Sequence, residues 1–177
     1  MADTLLRPDL GVAQAAGDLA AAGSLDAIVS ILRRTARAIV GADGISVILR
    51  EGDASYYVAE DAIEPLWRGR RFPLTTCISG WAMLNGETVV VPDIECDDRV
   101  PTALYRVTSM RSLVMVPIGS PEAVAALGAY WCTSVIPDDA TICRLEALAQ
   151  RAAAALARVQ VPTGASQVRD ATPPAGA

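Results

Sequence analysis

The sequence of 177 residues contains neither histidine nor lysine. Without histidine, the chain cannot form a Ser-His or Cys-His catalytic pair, and it has no imidazole ligand for a metal or haem. Without lysine, it has neither a Schiff-base amine nor the lysine of a phosphate-binding P-loop. Acid–base chemistry would fall to carboxylates, thiols or tyrosines, which excludes most classes of enzyme.

Long apolar runs are also missing. The longest, residues 123–132, is about half of the ~20 residues that a transmembrane helix needs. The amino terminus carries an acid and a proline where a signal peptide has positive charge followed by apolar residues. We therefore expect a cytoplasmic protein that does not interact with a membrane.

Basic stripes and closely spaced cysteines are absent as well. The net charge is −5, so the sequence predicts no binding of nucleic acid, whose recognition depends on cationic surfaces. The cysteines at positions 77, 96, 132 and 143 form no C-x-x-C pair, unlike zinc and thioredoxin-like sites. We expect four reduced thiols.

An apolar fraction of 52% is enough for one folded domain. The patterns predict long helices over 10–22, 25–40 and 138–160, and the second begins after Ser24 as its N-cap and ends at Gly41. Short helices are predicted over 79–84 and 101–107, the latter capped by Asp97 or Asp98. Strands are predicted over 45–50, 55–59, 88–91, 112–118 and 123–133, and a loop over 61–72. We expect a flexible segment over 1–9, a domain over 10–160 and a disordered tail over 161–177. The element order predicts an α+β sandwich: a central antiparallel sheet with the terminal helices on one face and crossover segments on the other.

Four segments resemble the GAF domain family. They are GADGISVIL at 41–49, ISGWA at 78–82 followed by NGETVVVPDI at 85–94, SLVMVPI at 112–118, and ALGAYW at 126–131. The resemblance implies a GAF/PAS-like fold and a sensory module that binds a small molecule. The sequences of segments 72–81 and 98–101 resemble those of GAF domains that occur beside bacterial sensor histidine kinases. This resemblance implies a role in two-component signal transduction.

The segment between the second and the last strands should cover the face that GAF relatives use as a ligand pocket. Aromatic walls with a few polar groups suit a small molecule, although the same aromatics could simply fill the core. The candidate ligand-binding residues are Trp67, Phe72, Cys77, Trp81, Asp93, Arg99, Tyr105 and Arg106.

The polar candidates have simpler alternatives. Arg99 and Arg106 could bind an anion, but they could equally pair with acids such as Asp97 on a solvated face. The acids at 93, 95, 97 and 98 cluster with Cys96, but they lack the glycine and spacing of a calcium loop. We expect no metal site.

Cys77 lies in the window where two special GAF groups carry functional cysteines. Bilin-binding members commonly have a histidine after the cysteine, where this chain has Ile78. Free methionine sulfoxide reductases have a cysteine directly before a glycine, where this chain has Ser79 before Gly80. We expect neither haem nor bilin and no catalysis, with a thiol reductase using Cys77 and Cys96 as an alternative.

The last helix carries an apolar seam with spacings of 3 and 4. Its members are Ile142, Leu145, Ala149, Ala152, Leu156 and Val159. Such a seam fits a partner helix in a homodimer, or equally the protein's own sheet. We predict a homodimer joined through this seam and the first helix, with a dimerisation platform without a ligand as a further alternative.

Overall fold

The computed structural model describes the backbone of residues 3–159 and the side chains of residues 9–159. Its helices are α1 (Asp3–Ala21), α2 (Leu25–Val40), α3 (Ile78–Asn85), α4 (Thr102–Tyr105) and α5 (Asp139–Val159). Its strands are β1 (Gly44–Glu51), β2 (Ala54–Ala62), β3 (Arg71–Pro73), β4 (Val89–Val91), β5 (Ser112–Ile118) and β6 (Ala125–Trp131). Within the described residues, no helix combines the length and the hydropathy required to cross a membrane.

The six strands form one antiparallel sheet in the order β3-β2-β1-β6-β5-β4. In the centre, Ser46 of β1 pairs with Gly128 of β6, and Gly128 pairs with Met115 of β5. Because successive side chains of a strand point to opposite faces, each central strand contributes to two separate cores. This arrangement confirms the predicted α+β fold.

The helices α1, α2 and α5 cover one face of the sheet. The apolar stripe of α2 packs into this core, Ser24 Oγ accepts a hydrogen bond from Ala27 N at 3.1 Å, and Gly41 ends the helix with a φ of 63°. Arg158 of α5 donates hydrogen bonds to the carbonyl oxygens of Leu19 and Ala20 at 2.9 and 3.0 Å. These two bonds connect the end of α5 to the end of α1. Ser24 and Gly41 set the two ends of α2, as predicted.

The seam of α5 lies inside the protomer, which corrects the predicted dimer interface. Leu145, Ala149, Ala152 and Leu156 are buried in the core between the helices and the sheet. Two neighbouring residues, Leu148 and Ala155, are buried with them and widen the stripe beyond a coiled-coil seam. The remaining seam members, Ile142 and Val159, are half-buried.

Two covering segments lie over the opposite face of the sheet. The first, residues 63–86, contains β3, a 3₁₀ turn at Leu74–Thr76 and α3; the second, residues 92–111, contains a 3₁₀ turn at Ile94–Cys96 and α4. Gly80 allows α3 to lie directly against the first turn, because a Cβ atom there would come within 1.9 Å of the Leu74 carbonyl oxygen. A side chain at this position would push α3 away from the Leu74–Thr76 turn.

Three local predictions need correction. Strand β3 begins within the stretch 61–72 that was predicted to be a loop, and β2 continues into that stretch as far as Ala62. Helix α4 has Pro101 at its N-cap without a side-chain hydrogen bond, so neither Asp97 nor Asp98 caps it. Helix α1 begins at Asp3 and not at residue 10. The predicted tail over 161–177 lies outside the described residues.

Candidate functional site

The covered face of the sheet forms a second core, which we call the covered core. Its sheet residues point away from the helix layer, and the covering segments close over them. The buried members from the sheet include Ile48, Tyr57, Leu113, Met115, Ala126 and Tyr130; those from the covering segments include Trp67, Leu74, Ile78, Met83, Val100, Tyr105 and Met110. The covering segments therefore separate this face of the sheet from solvent.

Aromatic rings form the centre of the covered core. The ring of Trp67 stands edge-on to three tyrosines, with centroid distances of 5.8 Å to Tyr57, 4.7 Å to Tyr105 and 5.7 Å to Tyr130. Edge-to-face contacts of this kind are favourable because the positive edge of one ring faces the negative face of another. The three tyrosines and Trp67 therefore provide a rigid aromatic wall.

The loop that carries Trp67 is fixed by one carboxylate. Glu60 accepts hydrogen bonds from the backbone N–H groups of Leu66, Trp67 and Arg68 at 3.1, 2.9 and 2.9 Å. These three bonds use most of the acceptor sites of the carboxylate. Glu60 thus positions the aromatic wall.

Small polar side chains join β2 to the start of α3. Ser79 Oγ lies 3.1 Å from both Ser55 Oγ and Tyr57 Oη, and Cys77 Sγ lies 3.4 Å from Ser55 Oγ and 3.3 Å from Ser79 Oγ. Cys77 is also the N-cap of α3, where its sulfur accepts a hydrogen bond from Gly80 N at 3.4 Å. The thiol therefore has a structural role in holding α3 on the sheet.

Two further hydroxyls in this core make no hydrogen bond of normal length and angle among the described residues, although they lie near enough to each other that the serine offsets part of the increase that burial causes in the pKa of the tyrosine. They are Ser46 Oγ on β1 and Tyr130 Oη on β6, and both residues are fully buried. Gly128, the strand partner of Ser46, makes room for the tyrosine, because a Cβ at Gly128 would lie 2.6 Å from Tyr130 Oη. Leaving a buried hydroxyl unpaired costs about 1–3 kcal/mol, so this pair requires an explanation.

The tyrosines of the aromatic wall are neutral phenols at neutral pH. Burial raises the pKa of Tyr57, Tyr105 and Tyr130, because a phenolate would be poorly solvated in this core. Each hydroxyl can therefore both donate and accept a hydrogen bond.

Charged side chains lie at the rim of the covered core. Arg99 donates a hydrogen bond to Asp97 Oδ1 at 2.9 Å, and its Cζ lies 5.1 Å from the centroid of the Trp81 ring. Arg106 donates a hydrogen bond to Glu95 Oε2 at 3.2 Å. The Arg99 guanidinium lowers the pKa of Asp97. These arginines already have carboxylate partners on the exposed surface.

The structure separates the eight predicted ligand-binding residues into three groups. Trp67 and Tyr105 are buried in the covered core, Cys77 is buried at the start of α3, and Phe72 and Trp81 pack against the core from half-buried positions. Asp93, Arg99 and Arg106 lie outside it, with Asp93 Oδ1 accepting a hydrogen bond from Glu95 N at 3.0 Å. Among the described residues, no three or more histidine, cysteine or acidic side chains are grouped as metal ligands.

The sequence reasoning missed Ser46 and Tyr130, together with Tyr57, Ser55 and Ser79. The signal was available in the alternation of the strands: in β1, Ser46 and Ile48 share a face, and in β6, Ala126, Gly128 and Tyr130 share one. The antiparallel register then places Ser46 opposite Gly128. The predicted candidates came from the segment between the second and the last strands, whereas Ser46 and Tyr130 lie on the central strands β1 and β6.

A profile of the GAF domain family matches residues 24–156. The chain belongs to the GAF domain family. A comparison with curated protein sequences gave no match. The matched residues include the whole sheet and both covering segments.

Solved structures of several GAF-like proteins share the fold. The GAF domain of an Acinetobacter phosphoenolpyruvate-protein phosphotransferase has 14% identity and a TM-score of 0.73, over 86% of this chain and 94% of that one. The free methionine-R-sulfoxide reductase of Neisseria meningitidis, solved with its substrate, has 21% identity and a TM-score of 0.70, over 84% and 87%. The chromophore-binding domain of an R. palustris bacteriophytochrome has 19% identity and a TM-score of 0.71, over 89% and 62%. At these identities, the similarity concerns the fold.

The unpaired hydroxyls of this GAF domain predict an unusual response to truncation. Ser46→Ala should raise the free energy of unfolding by about 1 kcal/mol, because the buried, unpaired hydroxyl is removed. Ser112 is the matched control: it is equally buried in β5, but its Oγ donates to the Thr133 carbonyl oxygen at 2.8 Å. Ser112→Ala should therefore lower the free energy of unfolding by about 1 kcal/mol in urea denaturation. Equal losses in both variants would show that Ser46 is as well satisfied as Ser112.

Proposed function

We propose that this GAF domain is a sensory module that binds a small molecule in the covered core and is not an enzyme. The observation that supports the proposal is the pair of buried hydroxyls, Ser46 Oγ and Tyr130 Oη, that lack partners beside an aromatic wall. A ligand with a polar group would satisfy them, and its binding would offset the cost of keeping them buried. Cytoplasmic location is part of this proposal.

A route from the covered core to the helix layer runs through β6. Tyr130 contributes to the covered core, whereas the next residue, Trp131, packs against the core between the sheet and the helices α1, α2 and α5, which we call the helix-side core. The Nε1–H group of Trp131 donates a hydrogen bond to the Gly41 carbonyl oxygen at 3.1 Å. Gly41 ends α2. A ligand that favours one position of β6 would therefore favour one arrangement of the helices, which is how binding energy becomes a signal.

The proposed output is a homodimer in bacterial signal transduction, with a signalling partner such as a histidine kinase. Since the seam of α5 is internal, we place the dimer contact on the outer side of α1 and α5. There Leu10 is 65% exposed, and an open cleft of about 340 Å³ is lined by Val12, Cys143 and neighbouring residues. Leu10→Glu should yield folded monomers in light scattering if this surface joins two copies.

A thiol reductase is the competing hypothesis. Cys77 carries its sulfur among two serine hydroxyls, and the fold is shared with free methionine-R-sulfoxide reductases. However, Cys77 is 5% exposed and caps α3, whereas Cys96 lies exposed in the second covering segment. Replacing both cysteines with serine should leave ligand binding intact; loss of a thiol-dependent reduction of methionine sulfoxide in that variant would establish catalysis instead.

Native mass spectrometry of the full chain tests the proposal. Protein purified under non-denaturing conditions should carry a bound metabolite, and its occupancy should fall in the double variant Ser46→Ala with Tyr130→Phe. Ser112→Ala should retain the metabolite, because Ser112 already has a partner. Undiminished occupancy in the double variant would place the ligand elsewhere, and a protein that carries no metabolite would favour the dimerisation platform.

A further inference from the structure

We propose that the ligand of the covered core is an uncharged aromatic molecule with one hydrogen-bonding group. This inference rests on the proposed function and specifies the chemical class of its ligand. It follows from three properties of the covered core: which polar atoms it contains, where the charged side chains are used, and how the aromatic rings are arranged.

The polar side-chain atoms inside the covered core belong to small hydroxyl and thiol groups. They come from Ser46, Ser55, Tyr57, Cys77, Ser79 and Tyr130. None of these groups carries the permanent positive charge that would balance a carboxylate or a phosphate. Transfer of an unpaired anion into such a site is strongly unfavourable.

Three arginines near the covered core are engaged by carboxylates or carbonyl oxygens, and a fourth, Arg70, lies over the ring of Phe72, 5.5 Å from its centroid. Arg99 and Arg106 pair with Asp97 and Glu95, and Arg111 donates to the carbonyl oxygens of Thr108 and Met110. An anionic ligand would have to break one of these pairs and draw an exposed guanidinium inward. Likewise, the carboxylate of Glu60 already accepts three backbone hydrogen bonds, so a cationic ligand would have to compete with the loop that these bonds hold.

The arrangement of the rings favours a planar ligand. Trp67 lies edge-on to Tyr57, Tyr105 and Tyr130, so a ring inserted beside Tyr130 would extend an existing edge-to-face cluster. Methionine side chains border the same core: Met110 and Met115 are fully buried there, and Met115 Cε lies beside Gly128. Flexible thioethers adapt their packing to an inserted ring.

One hydrogen-bonding group on the ligand would meet the two free hydroxyls. Ser46 lies opposite Gly128 in the sheet, Tyr130 Oη packs over Gly128, and each of the two hydroxyls can donate or accept a hydrogen bond. A phenolic hydroxyl or a ring N–H is therefore sufficient to meet both hydroxyls. Phenol is the simplest probe that meets both conditions, and benzoate is a probe of similar size that carries a negative charge.

The methionines provide the measurement. Three of the four, Met83, Met110 and Met115, are buried in the covered core, while the fourth is Met1. In the full chain labelled with ¹³C-methyl methionine, phenol should shift the Met110 and Met115 signals in a saturable manner and leave Met1 unchanged. Benzoate should need at least about a tenfold higher concentration, and Tyr130→Phe or Ser46→Ala should each weaken phenol binding by about tenfold, which corresponds to one hydrogen bond.

Other outcomes separate this inference from the proposed function. If benzoate shifts the same methyl groups at equal or lower concentration than phenol, the covered core binds small molecules but the ligand is not restricted to uncharged ones. If neither probe shifts the core methionines, both the ligand class and the covered core as a binding site are refuted. If phenol binds equally well to both variants, the two free hydroxyls do not recognise it and the inference fails.

Discussion

Replacing Leu156 with glutamate should unfold the protein rather than dissociate a dimer. Leu156 lies on the seam of α5 and is 3% exposed within the single protomer, against the helix-side core. Loss of a buried leucine costs about 2–5 kcal/mol, and a buried carboxylate without a partner adds to that. The total is comparable with the whole stability of a domain, about 5–15 kcal/mol.

The neighbouring residue supplies the control. Ala157 follows Leu156 on the same helix but is exposed, so Ala157→Glu should change the free energy of unfolding by only a few tenths of a kcal/mol. Circular dichroism at 25 °C should show an unfolded Leu156→Glu variant beside a folded Ala157→Glu variant. A folded, monomeric Leu156→Glu protein would mean that the seam faces a partner and that our placement of α5 is wrong.

Stability should fall steeply above about pH 10. Burial raises the pKa of Tyr57, Tyr105 and Tyr130, whereas tyrosines of an unfolded chain ionise near pH 10. Below that pH, the three tyrosines are protonated in both states and contribute no pH dependence to the stability. Above it, the unfolded state binds fewer protons than the folded state, so the free energy of unfolding decreases by about 1.4 kcal/mol per pH unit for each of the three residues.

The composition makes this alkaline transition easy to interpret. The chain has no lysine, and its arginines stay charged throughout this range, so no basic side chain is neutralised between pH 10 and 12. Urea denaturation at a series of pH values should give the slope, and absorbance at 295 nm should show tyrosine ionisation together with unfolding. Tyr130→Phe should reduce the slope by about a third; an unchanged slope would show that Tyr130 ionises in the folded protein.

The architecture was predictable because its strongest patterns are local. Strand β5 was predicted with its observed bounds from one continuous apolar run, and α2 from its apolar stripe with Ser24 before it and Gly41 after it. Strand β3 was not predictable, since its three residues follow no alternation and depend on pairing with β2. Short edge strands are specified by tertiary contacts more than by their own sequence.

The seam of α5 shows where periodicity becomes ambiguous. A repeat of 3.5 residues and one of 3.6 diverge by only about 20° per heptad, too little to separate them over this helix. The width of the stripe was the better signal, because Leu148 and Ala155 extend it beyond two positions per heptad. A broad stripe is typical of a helix packed on its own domain.

The candidate site was only partly predictable, for a different physical reason. Trp67 and Tyr105 were found because aromatic residues are conspicuous in a sequence with so few. Ser46 is an ordinary serine until the register sets it opposite Gly128 and beside Tyr130. Its lack of a hydrogen-bond partner is a property of the packed structure and has no signature in the sequence.

The central claim is that a ligand can enter the covered core, which requires the covering segments to open while the sheet stays folded. Amide hydrogen exchange of the full, unliganded chain, resolved by mass spectrometry, measures this opening directly. We predict that amides of α3 and α4 exchange at least about tenfold faster than those of β1, β6 and α5, equivalent to about 1.4 kcal/mol of easier opening. Exchange of α3 and α4 at the same slow rate as β1 and β6 would mean that the segments open only when the whole domain unfolds, and would contradict a binding site beneath them.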